Sequence, residues 1–260
     1  MEPFSLTCLG VGDGMPNADR NHSSYLYQFG ETTLLVDCGE PVGRSCRAAG
    51  IDKDAIDRLL LSHLHSDHFG GLFMFLQGLW LEKRRKPLPI NLPADGIQPI
   101  RQMLHLANLV PELLRFGVEM EPWKAGQPII QGKVRVTPYP TTHLESLRQL
   151  LQAKYPGQYA AYCFLLEHEG RRIGHSADLG APSDLDPLLL HPLDLLVCEL
   201  SHFKIPEICA YLRDKPIKKV LFTHLSRHYW EDFEGTRQEV KRLLPGMNVV
   251  FAWDGDVVML

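Results

Sequence analysis

His63-Leu64-His65-Ser66-Asp67-His68 puts three imidazoles and a carboxylate into six residues. Neutral imidazole nitrogen and carboxylate oxygen suit divalent cations, zinc first, with manganese or iron as alternatives. Alternation along an extended segment turns His63 and His65 to one side, so they can hold one ion together. Asp67 and His68 follow as the chain turns into a helix and can reach a second ion. The bland alternative is a polar surface loop, but the segment directly follows the apolar run Leu59-Leu60-Leu61. A two-ion site needs more ligands. His143 stands after Pro140-Thr141-Thr142, Asp178 after a strand over 171–176, and His224 after Val220-Leu221-Phe222-Thr223. Alone, each would read as a satisfied polar residue; the histidine-rich segment gives them weight. A carboxylate can bridge two cations because each oxygen serves one. The assignment is His63, His65 and His143 on one ion, Asp67, His68 and His224 on the other, with Asp178 between them. Two such ions would lower the pKa of a shared water toward neutrality, making a hydroxide nucleophile.

The elements that must position these groups follow from pattern and punctuation. Strands are predicted over 4–11, 23–29, 32–37, 58–62, 134–137, 160–167, 171–176, 193–198, 219–223, 248–253 and 256–259. Helices are predicted over 43–49, 71–83, 97–109, 111–116, 145–155, 206–213 and 232–244. His63, His143, Asp178, Glu199 and His224 each fall just beyond a predicted strand end, where a rigid scaffold usually presents catalytic groups. Two runs of strands with helices between and after them predict an α/β protein, a four-layer αββα sandwich, as one domain over 1–260.

Composition sets the outer limits. The 260 residues include 45% apolar and 22% charged, with a net charge of -4, so no overall basic field draws in nucleic acid. No basic-then-apolar leader opens the sequence, and no apolar run reaches the roughly 18 residues of a membrane span. Cys8, Cys38, Cys46, Cys163, Cys198 and Cys209 form no C-x-x-C pair and are expected to be buried free thiols in a reducing cytoplasm.

His63 to His68 followed by Phe69-Gly70-Gly71-Leu72 resembles the H-x-H-x-D-H-x-x-G-L signature of the metallo-β-lactamase fold, and His143, Asp178 and His224 match its later ligands. The resemblance spans nearly the whole chain and implies the αββα sandwich with metals at one edge of the sheets. Within that superfamily the chain is most similar to ribonuclease Z-like phosphodiesterases. The likeness is carried by Leu9-Gly10-Val11-Gly12-Asp13-Gly14-Met15-Pro16, Arg20-Asn21-His22-Ser23-Ser24, Leu34-Leu35-Val36-Asp37-Cys38-Gly39-Glu40 and Phe222-Thr223-His224-Leu225-Ser226-Arg227-His228-Tyr229. It places Glu199 at a motif glutamate and His202 where a histidine protonates the leaving oxygen. It also implies a homodimer. Ribonuclease Z carries an arm that grips tRNA between the third histidine and the bridging aspartate. Here that interval, 143 to 178, has room for only one helix and a hairpin, and Glu199 and His202 lie closer together than in the family.

The expected function is hydrolysis of a phosphodiester in a small or single-stranded substrate. Asp67 orients or deprotonates the nucleophile, His202 donates the proton, and Glu199 supports His202. Arg227, His228 and His22 are candidates to contact substrate. The same hydroxide would also attack a lactone, thioester or other small ester; a binding module with a degenerate site is the third reading. Glu82-Lys83-Arg84-Arg85-Lys86 reads as a solvated helix end.

Overall fold

Leu34, Leu35 and Val36 are fully buried, as are Leu59, Leu60 and Leu61. Runs buried on both faces belong inside a sheet beside parallel neighbours, and these two strands pair in parallel, Leu35 opposite Leu59. The computed structural model describes residues 4–259. By internal contacts the chain divides into two compact units: Met1–Lys124 with Pro156–Tyr159 and Trp253–Leu260, and Ala125–Tyr155 with Ala160–Ala252.

The first unit holds β1 (Phe4–Gly10), β2 (Ser24–Phe29), β3 (Thr32–Val36), β4 (Arg58–Leu60), β5 (Leu88–Leu92) and β6 (Val118–Pro122), side by side in that order, with the C-terminal strand Val257–Met259 antiparallel to β1. β1 to β3 are antiparallel and β3 to β6 parallel, so the sheet is mixed. Its helices are α1 (Val42–Ala48), the single turn α2 (Ser66–Phe69), α3 (Leu72–Leu81), α4 (Ala94–Leu106) and α5 (Pro111–Leu114). Leu72, Phe75, Leu76 and Leu79 recur at the spacing of one helical face, and α3 buries that face with Leu59, Leu61 and Ile90.

The second unit holds β7 (Ile129–Gln131), β8 (Val134–Thr141), β9 (Ala161–His168), β10 (Arg171–His175), β11 (Leu195–Leu200), β12 (Val220–Leu225) and β13 (Val249–Phe251), again in sheet order. β7 to β10 are antiparallel and β10 to β13 parallel. Val257–Met259 is β14. Helices α6 (Glu145–Leu151), α7 (Ile205–Leu212), α8 (Arg227–Glu231) and α9 (Phe233–Leu243) belong to this unit. Between His143 and Asp178 stand only α6 and the β9–β10 hairpin, as the sequence predicts.

Three expectations need correction. Glu199 and His224 lie inside β11 and β12, not beyond them. Glu199 pairs with Thr223 and Leu200 with Leu225, so His224 is an extra residue on its strand, with φ 50°. Such a bulge re-aims a side chain at a sheet end. Arg84 is not solvated. It is fully buried, and its guanidinium donates to the carbonyls of Lys53, Ile56, Lys86 and Pro87, which satisfies the charge's hydrogen-bonding demand. The six cysteines are free and buried, as expected. Among the described residues no helix is long and apolar enough to cross a membrane.

Candidate metal centre

In the first unit, β4 delivers the chain to an extended stretch and then to α2. The His63 ring lies 4.7 Å from that of His65 and 4.1 Å from that of His68, centroid to centroid. Asp67 and His68 sit on the α2 turn, with Asp67 Oδ2 3.3 Å from His68 Nε2. His63, Asp67 and His68 are buried.

A residue that the sequence offered only as part of a motif organises this cluster. Asp37, fully buried at the end of β3, accepts from Ser62 N at 2.7 Å, Ser62 Oγ at 2.9 Å and His68 Nδ1 at 2.7 Å. Ser62 Oγ is also 3.0 Å from His63 Nδ1. The carboxylate therefore fixes the His68 proton on Nδ1 and puts the ring's lone pair on Nε2, an arrangement common in histidines that bind metal.

In the second unit, His143 follows β8 and Asp178 follows β10. Asp178 Oδ2 is 3.6 Å from His143 Nε2, and Oδ1 is 3.5 Å from His224 Nε2. These separations are long for hydrogen bonds. They are close to the edge of about 3.3 Å between two ligands of a tetrahedral zinc ion with bonds of about 2.05 Å. The donor set thus fits divalent metal.

Glu199 is 1% exposed on its side chain, and its Oε1 accepts from His202 Nδ1 at 2.8 Å and from Leu179 N at 3.0 Å. Oε2 accepts from Ser201 N at 2.7 Å and His202 N at 3.0 Å. Glu199 therefore ties the Asp178 loop to His202 as well as orienting the imidazole. His202 Nε2 lies 4.0 Å from Asp178 Oδ2. Burial lowers the His202 pKa, but the hydrogen bond and charge of Glu199, with the charge of Asp178, outweigh it and hold it above the ordinary histidine value.

Of the predicted substrate contacts, Arg227 and His228 are exposed. Arg227 is paired with Glu231 at 2.8 Å on exposed α8, and the exposed His228 packs on Tyr229. His22 is half-buried and donates from Nδ1 to the Asp13 carbonyl at 2.8 Å.

The two mixed sheets and their histidine–aspartate clusters define the class: a metal-dependent hydrolase of the metallo-β-lactamase fold, similar to ribonuclease Z. The metallo-β-lactamase fold protein YhfI of Bacillus subtilis superposes with a TM-score of 0.74 at 22% identity, covering 100% of both chains. The short form of human tRNase Z superposes with a TM-score of 0.74 at 18% identity, covering 98% of both. Ribonuclease Z of Archaeoglobus fulgidus is 22% identical over 300 residues, 96% of each chain. More particularly, residues 4–233 match the family model of the Anti-Pycsar protein Apyc1, and the chain belongs to that family.

Proposed function

We propose that the protein is a two-metal phosphodiesterase acting on a small or short single-stranded substrate, with residues 1–260 as a single hydrolase domain. His63, His65, His143 and Asp178 would hold one ion, and Asp67, His68, Asp178 and His224 the other. The observation that carries this reading is Asp178, whose two oxygens each face a different imidazole, as a bridging ligand requires. Two bound divalent ions, zinc first and manganese or iron as alternatives, would lower the pKa of a water and offset charge on a phosphoryl group. Asp67 would orient that water. His202, held by Glu199 through Nδ1, would present Nε2–H to the leaving oxygen. His22, Arg227 and His228 would contact substrate, Arg227 after release from Glu231. Cytoplasmic residence and a homodimer belong to the same proposal.

The test is a parallel assay of an aryl phosphodiester, small nucleotide phosphodiesters, short single-stranded RNA and a lactone, each with added zinc or manganese. Metal-dependent phosphodiester turnover is expected, lost by more than about 100-fold in His65→Ala and Asp67→Ala. His202→Ala should slow an alkoxide leaving group by about 100-fold or more and a nitrophenolate much less, because the better leaving group needs less protonation. Lactone turnover without phosphodiester turnover, or activity that survives metal stripping, would overturn the proposal.

A further inference from the structure

Asp184 plays no part in the chemistry above, yet donors from both loops that carry His143 and Asp178 converge on it. It lies in a 3-10 turn, Pro182–Leu185, and is 9% exposed. Its Oδ2 accepts from Thr142 N at 2.9 Å, Gly180 N at 2.9 Å, Ala181 N at 3.1 Å and Thr142 Oγ1 at 3.0 Å. Oδ1 stands 3.2 Å from Thr142 Oγ1. Thr142 immediately precedes His143, and Gly180 lies two residues after Asp178. One carboxylate therefore holds the backbones of both loops.

Two further contacts lock the same pair of loops. Thr141 Oγ1 donates to the Asp178 carbonyl at 2.9 Å. Gly180 packs so closely on Thr142 that a Cβ there would stand 2.3 Å from the Thr142 carbonyl carbon. The separation between His143 and Asp178 is thus set by Asp184 below and by the Gly180–Thr142 contact beside it. Backbone N–H groups at such a turn need an acceptor, but nothing in that need requires one carboxylate to serve two different loops.

We infer that Asp184 is a positioning residue for the metal centre, fixing the distance between His143 and Asp178 and hence the affinity for an ion held between them. The inference rests on the ligand assignment proposed above. Asp184 acts on the loops through three backbone N–H groups and the Thr142 hydroxyl. Asp184→Asn can keep every contact, because the amide oxygen can take the three N–H donors while its NH2 donates to Thr142 Oγ1. Asp184→Ala removes them all. Gly180→Ala leaves Asp184 intact but forces the loops apart.

The experiment measures zinc affinity of the full chain by competition with a chromophoric chelator, and thermal unfolding of the metal-free proteins in parallel. Asp184→Ala and Gly180→Ala should each weaken zinc binding by about 10- to 100-fold, the usual effect of losing outer support for a ligand. Asp184→Asn should stay within a few-fold of the native protein. Wild-type affinity in either Asp184→Ala or Gly180→Ala, or equal losses in Asp184→Asn and Asp184→Ala, overturns the inference. If Asp184→Ala does not fold, the Gly180→Ala and Asp184→Asn results decide by the same criteria. His143→Ala is the separate control: if it binds zinc like the native protein, the ligand assignment has failed rather than the role of Asp184.

Discussion

A buried carboxylate hydrogen-bonded to one histidine, and through a hydroxyl to a second, decides which ring nitrogen of each carries the proton. Asp37 is placed to do this, directly for His68 and through Ser62 for His63. Asp37→Asn keeps the shape and changes the proton. The amide oxygen must still accept from Ser62 N, so its NH2 faces His68 Nδ1, which then accepts and moves the ring proton to Nε2. Nitrogen-15 NMR of the metal-free protein should show His68 change from the Nδ1–H to the Nε2–H form, with the fold unchanged by circular dichroism; an unchanged tautomer contradicts the role. Much of this scale was legible beforehand. The ligand types were visible because His63, His65, Asp67 and His68 are crowded in sequence. Asp37 is visible only within a motif and Asp184 not at all, because Ser62 and His68 lie 25 and 31 residues from Asp37, and Thr142, the residue that links Asp184 to the His143 loop, lies 42 residues from it. An isolated aspartate in Ala181-Pro182-Ser183-Asp184 gives no signal beyond that of a turn.

At the scale of elements, glycines decide how closely the supporting segments approach. A Cβ on Gly39 would stand 2.2 Å from the Asp67 carbonyl oxygen and 2.7 Å from His22 Cβ. Gly78, within α3, has no heavy atom beyond its chain neighbours and its own helix backbone within 4 Å of the same position. Alanine should therefore have opposite signs at the two sites. Gly39→Ala should lose about 1–3 kcal/mol or more through overpacking against backbone, and Gly78→Ala should gain about 0.5–1 kcal/mol through helix propensity. Denaturant unfolding of the metal-free variants tests the contrast; the same sign at both sites would contradict it. Sequence pattern identified most helices and the antiparallel strands, but β5, β6 and β7 went unread. Leu88-Pro89-Ile90-Asn91-Leu92 has no clean alternation and contains proline. The pattern predicts a strand ending at Thr137 because Pro138 and Pro140 follow, whereas β8 runs on to Thr141. Beyond Val136 its pairing runs to β9 alone, and an open strand edge tolerates residues that lack an N–H. The bulge that brings His224 into its strand is likewise invisible to a period-2 reading.

For the whole molecule, the proposed ligands are divided along the chain: four come from the first compact unit and three from the second. The family match over 4–233 spans both. The overall fold class was readable because each unit repeats the same plan, an antiparallel half followed by a parallel half, with ligands near the carboxyl ends of strands. The substrate was not readable, since the metal ligands specify a reaction type and the recognition surface is built from loops. The central proposal is that phosphodiester hydrolysis by this protein needs two ions. Titrating metal-free protein with zinc while following turnover of a small phosphodiester tests it directly. Activity should rise to a plateau at two equivalents per chain; a plateau at one equivalent, or full turnover before any zinc is added, would contradict the account.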